Sequence, residues 1–520
     1  MTDFDAIIIG AGHNGLVCAG YLAKAGKKVL VLESRAVPGG CAATHEFAPG
    51  FNVSSCAQWL YQLSPKVVSD LKLPQHGLVY AAEGLATIAL DDTGDHLRLQ
   101  GDSASGGGVS IEDQKAYALF RKKMRKYAKL MKTAYDTRPP KLVEHDLHDK
   151  MTFAKLGLGM KLLGKDDMSD LMRLILINIF DVMKETFQSP KLQAALALDA
   201  VIGTPMGPRS PNTVFTYLHR FMGEVLGFEG ATQVKGGMGT LGVALSNAAT
   251  DLGAVVRYDT SVASIDKTHD RVTGVTLTSG EQLTAKLIVS SADPKTTFKS
   301  LLGYQHMETG LARRIEQIRF KSGTVKVHFA LSGLPTFTGL DPSALGQRLV
   351  IAPSLNALES AFNPLKYDES SERPVMDISI PTIHDPSLAP NGQHVLSAIV
   401  QYAPLNPKGG WEALRAPFMT AVIAELTRYA PDIASLITAQ ELLTPADLAD
   451  TFGMTGGNWH HGELTMDQVL MTRPATGISQ YQTGIDGLYL CGAGSHPGGG
   501  LMGLAGKNSA QEIIRQGELA

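Results

Sequence analysis

The sequence predicts an α/β protein. A parallel, dinucleotide-binding sheet is supplied by both ends and a middle piece of the chain, and an α+β substrate unit is interleaved between them. Three observations carry this. Residues 5–33 read as strand, glycine turn, helix, strand and terminal acid; residues 487–516 read as strand, glycine-rich loop and helix; and the segments 70–230 and 300–470 hold many prolines and few sharp motifs. The expected division is 1–70, 230–300 and 470–520 for the nucleotide unit and 71–229 and 301–469 for the substrate unit.

Ile7-Ile8-Ile9 is a β-branched run that stops at Gly10, and from Leu16 to Ala25 small and apolar residues recur at helical spacing until Gly26. Lys27 to Glu33 reads as a second buried strand. Between strand and helix stands Gly10-Ala11-Gly12-His13-Asn14-Gly15. Gly10 permits the tight turn, Gly12 lets backbone approach a pyrophosphate, Gly15 lets helix and strand pack closely, and the Glu33 carboxylate can accept from ribose hydroxyls. That motif serves NAD and FAD alike. Arg35 and the pair Gly39-Gly40 decide for FAD, because they place charge and unhindered backbone just past the ribose-binding strand.

Lys155, Lys161 and Lys165 punctuate an apolar stretch within Phe153–Phe187, and Met168 to Met183 is apolar almost all round a helix. Such a helix is either internal to the substrate unit or laid into one membrane leaflet, with the lysines at headgroups and a lipophilic substrate admitted there. The most apolar run, Leu171–Phe180, is interrupted by Arg173 and Asn178 and is too short to span a bilayer.

Gly237 to Gly242 repeats the glycine spacing, followed by a helix-like stretch from Val243 and the strand Ala254–Tyr258. It is either a nicotinamide site or the return of the chain to the first sheet; Gly230 to Val234 is a poor buried strand to precede a nucleotide turn. Arg271 to Leu283 alternates like a hairpin arm, and Leu287 to Pro294 closes that sheet. Thr324 to Leu331 alternates with one polar face, so Lys326 and His328 face either a cofactor or, the better reading, solvent. Gly487 to Cys491 is a short strand, followed by a loop from Gly492 to Gly503 and a helix from Leu504 to Gln516, whose N-terminus favours negative charge.

These motifs, with Gly457-Asn458-Trp459-His460-His461-Gly462-Glu463, resemble the FAD-dependent phytoene desaturase-like flavoproteins. That family lies within the amine oxidase and glutathione reductase-type FAD superfamily, and the nearest subgroup is named pyridine nucleotide-disulfide oxidoreductase domain-containing. The resemblance implies a Rossmann-type FAD domain of the glutathione reductase type. It implies that Gly10, Gly12, Gly15, Glu33, Arg35, Gly39 and Gly40 hold phosphates and ribose, that Val262 meets the adenine, and that Gly492, Gly494 and Met502 lie along the flavin and its ribityl chain. Ser495 stands where many relatives in the wider superfamily carry Asp, and Cys41 stands where amine oxidases commonly carry Arg after the glycine pair, which favours the desaturase branch.

The expected activity is dehydrogenation of a long apolar, lipid- or isoprenoid-like substrate by hydride transfer to flavin, with the cofactor carrying the hard chemistry. His496, His460 and His461 are candidate bases or substrate positioners. Double-bond isomerisation or saturation, amine oxidation, and flavin binding without turnover are the alternatives. The chain has 520 residues, 47 Lys plus Arg against 50 Asp plus Glu, 44% hydrophobic residues and four cysteines. That balance excludes disorder and gives no basic field for nucleic acid. Cys18, Cys41, Cys56 and Cys491 form no C-x-x-C and no metal-ligand spacing, so no metal is expected. Met1-Thr2-Asp3-Phe4-Asp5 lacks a basic leader, so the expected place is the cytoplasm, with contact at the inner face of a membrane as the added option. Oligomeric state, substrate identity and electron acceptor carry no sequence signal.

Overall fold

The computed structural model describes residues 4–141, 143 and 146–517. Met1–Asp3, on which the leader reading partly rests, lie outside the described residues. The β-branched run forms strand β1 (Phe4–Ile9) at the centre of a seven-stranded sheet. It is flanked in parallel by β2 (Val29–Leu32), with Ile7 opposite Leu30, and on its other side by residues 282–290, where Ile7 meets Ile288. Helix α1 (His13–Lys24) follows β1 after Gly12 and has no side-chain N-cap. A β-carbon on Gly15 would stand 2.2 Å from the Gly10 carbonyl oxygen, so only glycine allows α1 to start this close to the strand.

The second glycine run belongs to this same unit. It opens α2 (Gly239–Asp251), which packs on α1 and leads into β3 (Val255–Arg257), parallel to β2. The preceding residues Ala231–Val234 form a fully buried strand after all, paired antiparallel with Tyr80–Leu85 and outside the parallel sheet. The turn is therefore preceded by a strand of a two-stranded antiparallel ribbon, not by the parallel-sheet strand that a separate nicotinamide site needs. β4 (Val262–Thr268) and β5 (Arg271–Leu277) form a hairpin on the N-terminal half of β6 (Gln282–Ser290). The C-terminal half of β6 pairs in parallel with β7 (Leu488–Leu490), after which the chain loops into α3 (Leu504–Gln516), packed against α1. Both faces of the parallel sheet are covered. Ala6, Ile8, Val29 and Val31 face the helices, whereas Ile7, Ile9, Leu30 and Leu32 face the other side, which is why these strands read as unbroken apolar runs.

The second sheet has eight strands, in the order 437–443, 324–331, 394–401, 375–379, 348–351, 87–89, 97–100 and 103–106. All its pairs are antiparallel except 348–351 with 87–89. Thr324–Leu331 lies between two neighbours and is buried at every residue, so the solvent reading of Lys326 and His328 is corrected: both are inside. Helices 111–135, 190–201 and 213–226 share a core around Tyr117, Met124, Leu198 and Leu218.

The stretch Met168–Met183 is not one helix. Helices 147–163 and 165–174 meet at Gly164, whose φ of 86° breaks the run, and 179–186 starts anew at the Asn178 cap. Leu171, Leu174, Ile179, Phe180 and Met183 are buried, whereas Leu147, Leu158, Leu162, Met172 and Leu176 are exposed. Among the described residues no helix is long and apolar enough to cross a membrane.

Candidate functional site

A cavity of about 440 Å³ runs from the tip of the parallel sheet into the substrate unit. Its first end is lined by Glu33, Ser34, Arg35 and Val262, its neck by Gly10, Gly12, His13, Gly39 and Gly40, and its far end by Trp59, Tyr61, Asp199, Arg220, Trp459, His460 and His461.

The neck is built for close backbone approach. The Gly39 N–H donates to the Ala11 carbonyl at 2.8 Å, and a β-carbon on Gly39, at φ +108°, would lie 2.2 Å from the Ala42 carbonyl oxygen. Beside it the uncapped first turn of α1 presents free N–H groups. Glu33 is held in place by accepting from Ala11 N at 2.7 Å and Arg35 N at 3.0 Å. The Arg35 guanidinium donates to Gly40 O at 3.3 Å and stacks over Phe452, 4.7 Å from the ring centroid. This set fits an adenine dinucleotide: an acid for ribose hydroxyls, a cation and glycine backbone for a diphosphate, and the start of β4 beside the adenine end.

The sequence-derived residues do not all meet the cavity. Gly15 serves the helix–strand packing. Gly492 and Gly494 sit beside the lining Ala493, and their missing β-carbons make room for Ser291 and Pro294. Met502 follows the lining Leu501 but is itself in the core. His460 and His461 line the cavity, and the Nδ1 atom of each has no hydrogen-bond partner. The His460 Nε2 accepts from the Trp459 indole at 3.1 Å. His496 is not among the lining residues. Its Nε2 lies 2.9 Å from the Ala134 carbonyl and its ring meets Tyr135 edge-on, so it braces the glycine loop against helix 111–135.

Several lining residues escaped the sequence reading. His13, inside the glycine turn, has an unpartnered Nε2, and burial pushes its pKa down to about 4, with His461 adding to the shift. His219 bridges Tyr135 Oη at 2.7 Å and Gly499 O at 2.6 Å. Burial lowers His219 to about 4, His460 well below its ordinary value and His461 in the same direction, so these imidazoles are neutral at pH 7. At the far end Asp199 Oδ1 receives Arg348 Nη2 at 2.7 Å and Arg220 Nε at 3.1 Å, and the Arg220 guanidinium lies 4.2 Å from the Tyr61 ring centroid. Lys326 donates its Nζ to the lining Gln58, and burial lowers its pKa to about 7. Cys41 and Cys56 also line the cavity, and the Cys41 thiol donates to Met454 Sδ at 3.6 Å, a contact across the chain that the sequence does not reveal.

A doubly covered parallel sheet, a glycine cradle and a joined substrate cavity define a dinucleotide-dependent oxidoreductase. Residues 8–71 match the NAD(P)-binding Rossmann-like domain model. The chain is 34% identical to pyridine nucleotide-disulfide oxidoreductase domain-containing protein 2 of Rattus norvegicus, over 99% of this chain and 94% of that one. It is 26% identical to a lycopene-forming phytoene desaturase of Paracoccus, over 99% and 98%. Cyclohexylamine oxidase of Brevibacterium oxydans shares the fold, with TM-score 0.59 and 15% identity over 99% and 100% of the two chains. The chain belongs to the family of pyridine nucleotide-disulfide oxidoreductase domain-containing protein 2.

Proposed function

We propose that this protein is an FAD-dependent dehydrogenase that withdraws hydrogen from an apolar, lipid- or isoprenoid-like substrate. The observation that carries the reading is the continuity of one cavity from the Glu33–Gly40 cradle to a wall of Trp59, Ala200, Ile202, Ile399, Trp459 and Leu464, so cofactor and substrate would share one space. The name of the Paracoccus relative supports a substrate of this class. FAD would be held at its adenosine end by Glu33, Arg35 and Val262 and at its diphosphate by Gly12, Gly39 and the start of α1. Bound there, it supplies the two-electron acceptor. The chain's own part is to orient the substrate, exclude water and keep His13, His460 and His461 neutral as hydrogen-bonding partners. An amine substrate fits less well. Of the described lining residues only Glu33 and Asp199 are acids; Glu33 belongs to the adenosine end, and Asp199 is already engaged by two guanidiniums.

The test is an absorbance spectrum of the purified protein, followed by anaerobic titration with polyenes and long-chain unsaturated lipids. Bleaching by substrate alone supports dehydrogenation. Change only after prior reduction supports isomerisation or saturation, and no flavin after reconstitution overturns the reading. Exposed Leu158, Leu162, Met172 and Leu176, beside exposed Lys155, Lys161 and Lys165, support peripheral contact with an anionic membrane as the substrate's source. Protein that stays in the supernatant when anionic liposomes are pelleted would remove that part.

A further inference from the structure

Arg473 is fully buried, and every donor it places goes to a backbone carbonyl. Its Nη2 donates to Ala493 O at 2.9 Å, to Gly462 O at 3.4 Å and to His460 O, its Nε to Ala493 O at 3.3 Å, and its Nη1 to Gln468 O at 3.4 Å and Glu463 O at 3.5 Å. Among the described residues no carboxylate pairs with it. Glu463 turns its side chain to Arg319 Nε at 3.2 Å and Lys321 N at 3.3 Å, and Asp293 is taken up by Thr296 and Thr455. The titratable groups that face the guanidinium are Tyr135, His219, His460, His461 and His496. Burial keeps the phenol protonated and the imidazoles neutral.

One positive charge therefore sits in a neutral shell, a single residue behind Ala493 and His460, both of which wall the cavity. A buried guanidinium without a counter-ion costs stability, and as a mere staple between the 460–468 and 493 loops a neutral donor would serve at lower cost. The N-terminus of α3 begins just after the lining Gly500 and Leu501, and it adds positive potential of its own.

We propose that Arg473 is the charge that favours an anion at the Ala493–Gly500 end of the cavity and so raises the reduction potential of the flavin held there. The inference rests on the FAD reading above. A hydride brings two electrons and one proton, so the ring that accepts it carries one negative charge until a second proton arrives. A fixed cation behind the Ala493 carbonyl stabilises that charge through space. Arg473 is a positioning residue, since backbone stands between it and the cavity.

The experiment compares wild type, R473Q and R473K holoprotein, after flavin content has been measured by absorbance. Wild type without flavin after reconstitution refutes the FAD reading itself and is seen before any variant is made. With flavin bound, the two-electron equilibrium against a reference dye is expected to shift at least tenfold toward the oxidised form in R473Q, about 30 mV. Sulfite affinity for the flavin should weaken in parallel, and R473K should stay near wild type at pH 6. Where R473Q fails to fold, R473K decides. A lysine in this dry site loses its proton as pH rises, so its potential should fall away from wild type by pH 9, whereas Arg473, lowered only to about 10, keeps its charge. An R473Q potential equal to wild type, or an R473K potential that tracks wild type from pH 6 to 9, overturns the proposal.

Discussion

Asp377 is wholly buried and accepts from Arg348 Nε at 2.9 Å and Trp59 Nε1 at 3.0 Å, while Arg348, 2% exposed, also reaches Asp199. Such a cluster holds the second sheet against the cavity wall only while its charges cancel. Asp377→Asn leaves Arg348 short of one acid, and breaking a buried pair in this way costs on the order of 3–5 kcal/mol. Denaturant titration of the variant should show that loss; a change below about 1 kcal/mol would mean that Asp199 alone neutralises the arginine. Lys326 behaves differently because its partner is the neutral Gln58. Its pKa of about 7 lies below the roughly 10.4 of an unfolded lysine. Between those values the unfolded chain binds a proton that the folded chain does not. This residue's cost is therefore complete below pH 7 and is relieved as pH rises, by about 1.4 kcal/mol per pH unit. Lys326→Met should accordingly gain most in melting temperature over wild type at pH 6 and progressively less toward pH 9. Parallel pH profiles for the two proteins would show that Lys326 is not the titrating group.

Helix α1 is the element on which the cradle depends, and its entry is fixed by one missing methyl group. Gly15→Ala would drive a carbon to 2.2 Å from the Gly10 carbonyl, so helix and strand must separate. We expect at least about 2 kcal/mol of destabilisation, with weakened flavin retention. Gly157→Ala, in helix 147–163 with open space around it, should instead stabilise by about 0.5–1 kcal/mol. Equal effects at the two sites, read by thermal unfolding, would remove the packing argument. The same contrast explains what was legible in the sequence. The cradle was readable because its signals are local: β-branched runs, glycine spacing and the acid at the end of β2 all fall within thirty residues of one another. Lys326 was misread because alternation predicts one wet face only for a strand with an open side, and this strand has neighbours on both edges and cover on both faces. Met168–Met183 was read as one helix because composition does not reveal the break between helix 165–174 and the Asn178 cap that starts helix 179–186. Tyr61, Asp199, Arg220 and Arg473 gave no signal at all, since each stands alone in sequence and its role depends on partners twenty or more residues away, as with Arg220 for Tyr61 and Asp199 and Ala493 for Arg473.

The whole molecule closes around its cavity from two sides. The nucleotide unit contributes Ile9, Gly10, Gly12 to Asn14, Leu32 to Arg35 and Ala292, and the second unit contributes Thr204, Arg220, Ile399 and Trp459. A ligand that touches both walls stabilises both, because any ligand bound only by the folded state adds RT ln(1 + [L]/Kd), about 2.7 kcal/mol at a hundredfold excess over Kd. FAD should therefore slow hydrogen exchange not only at residues 10–40 and 493–501 but also at 199–204 and 459–461, which belong to the far wall. Removing the flavin should lower the melting temperature of a single transition in which both units unfold together. The alternative is a cofactor that rests on the nucleotide unit alone. In that case flavin removal would leave exchange at 199–204 and 459–461 unchanged and split unfolding into two steps, and the shared cavity would not couple cofactor to substrate. Hydrogen exchange of matched apo and holo samples separates these outcomes without knowledge of the substrate, because it reads the protection of each wall directly.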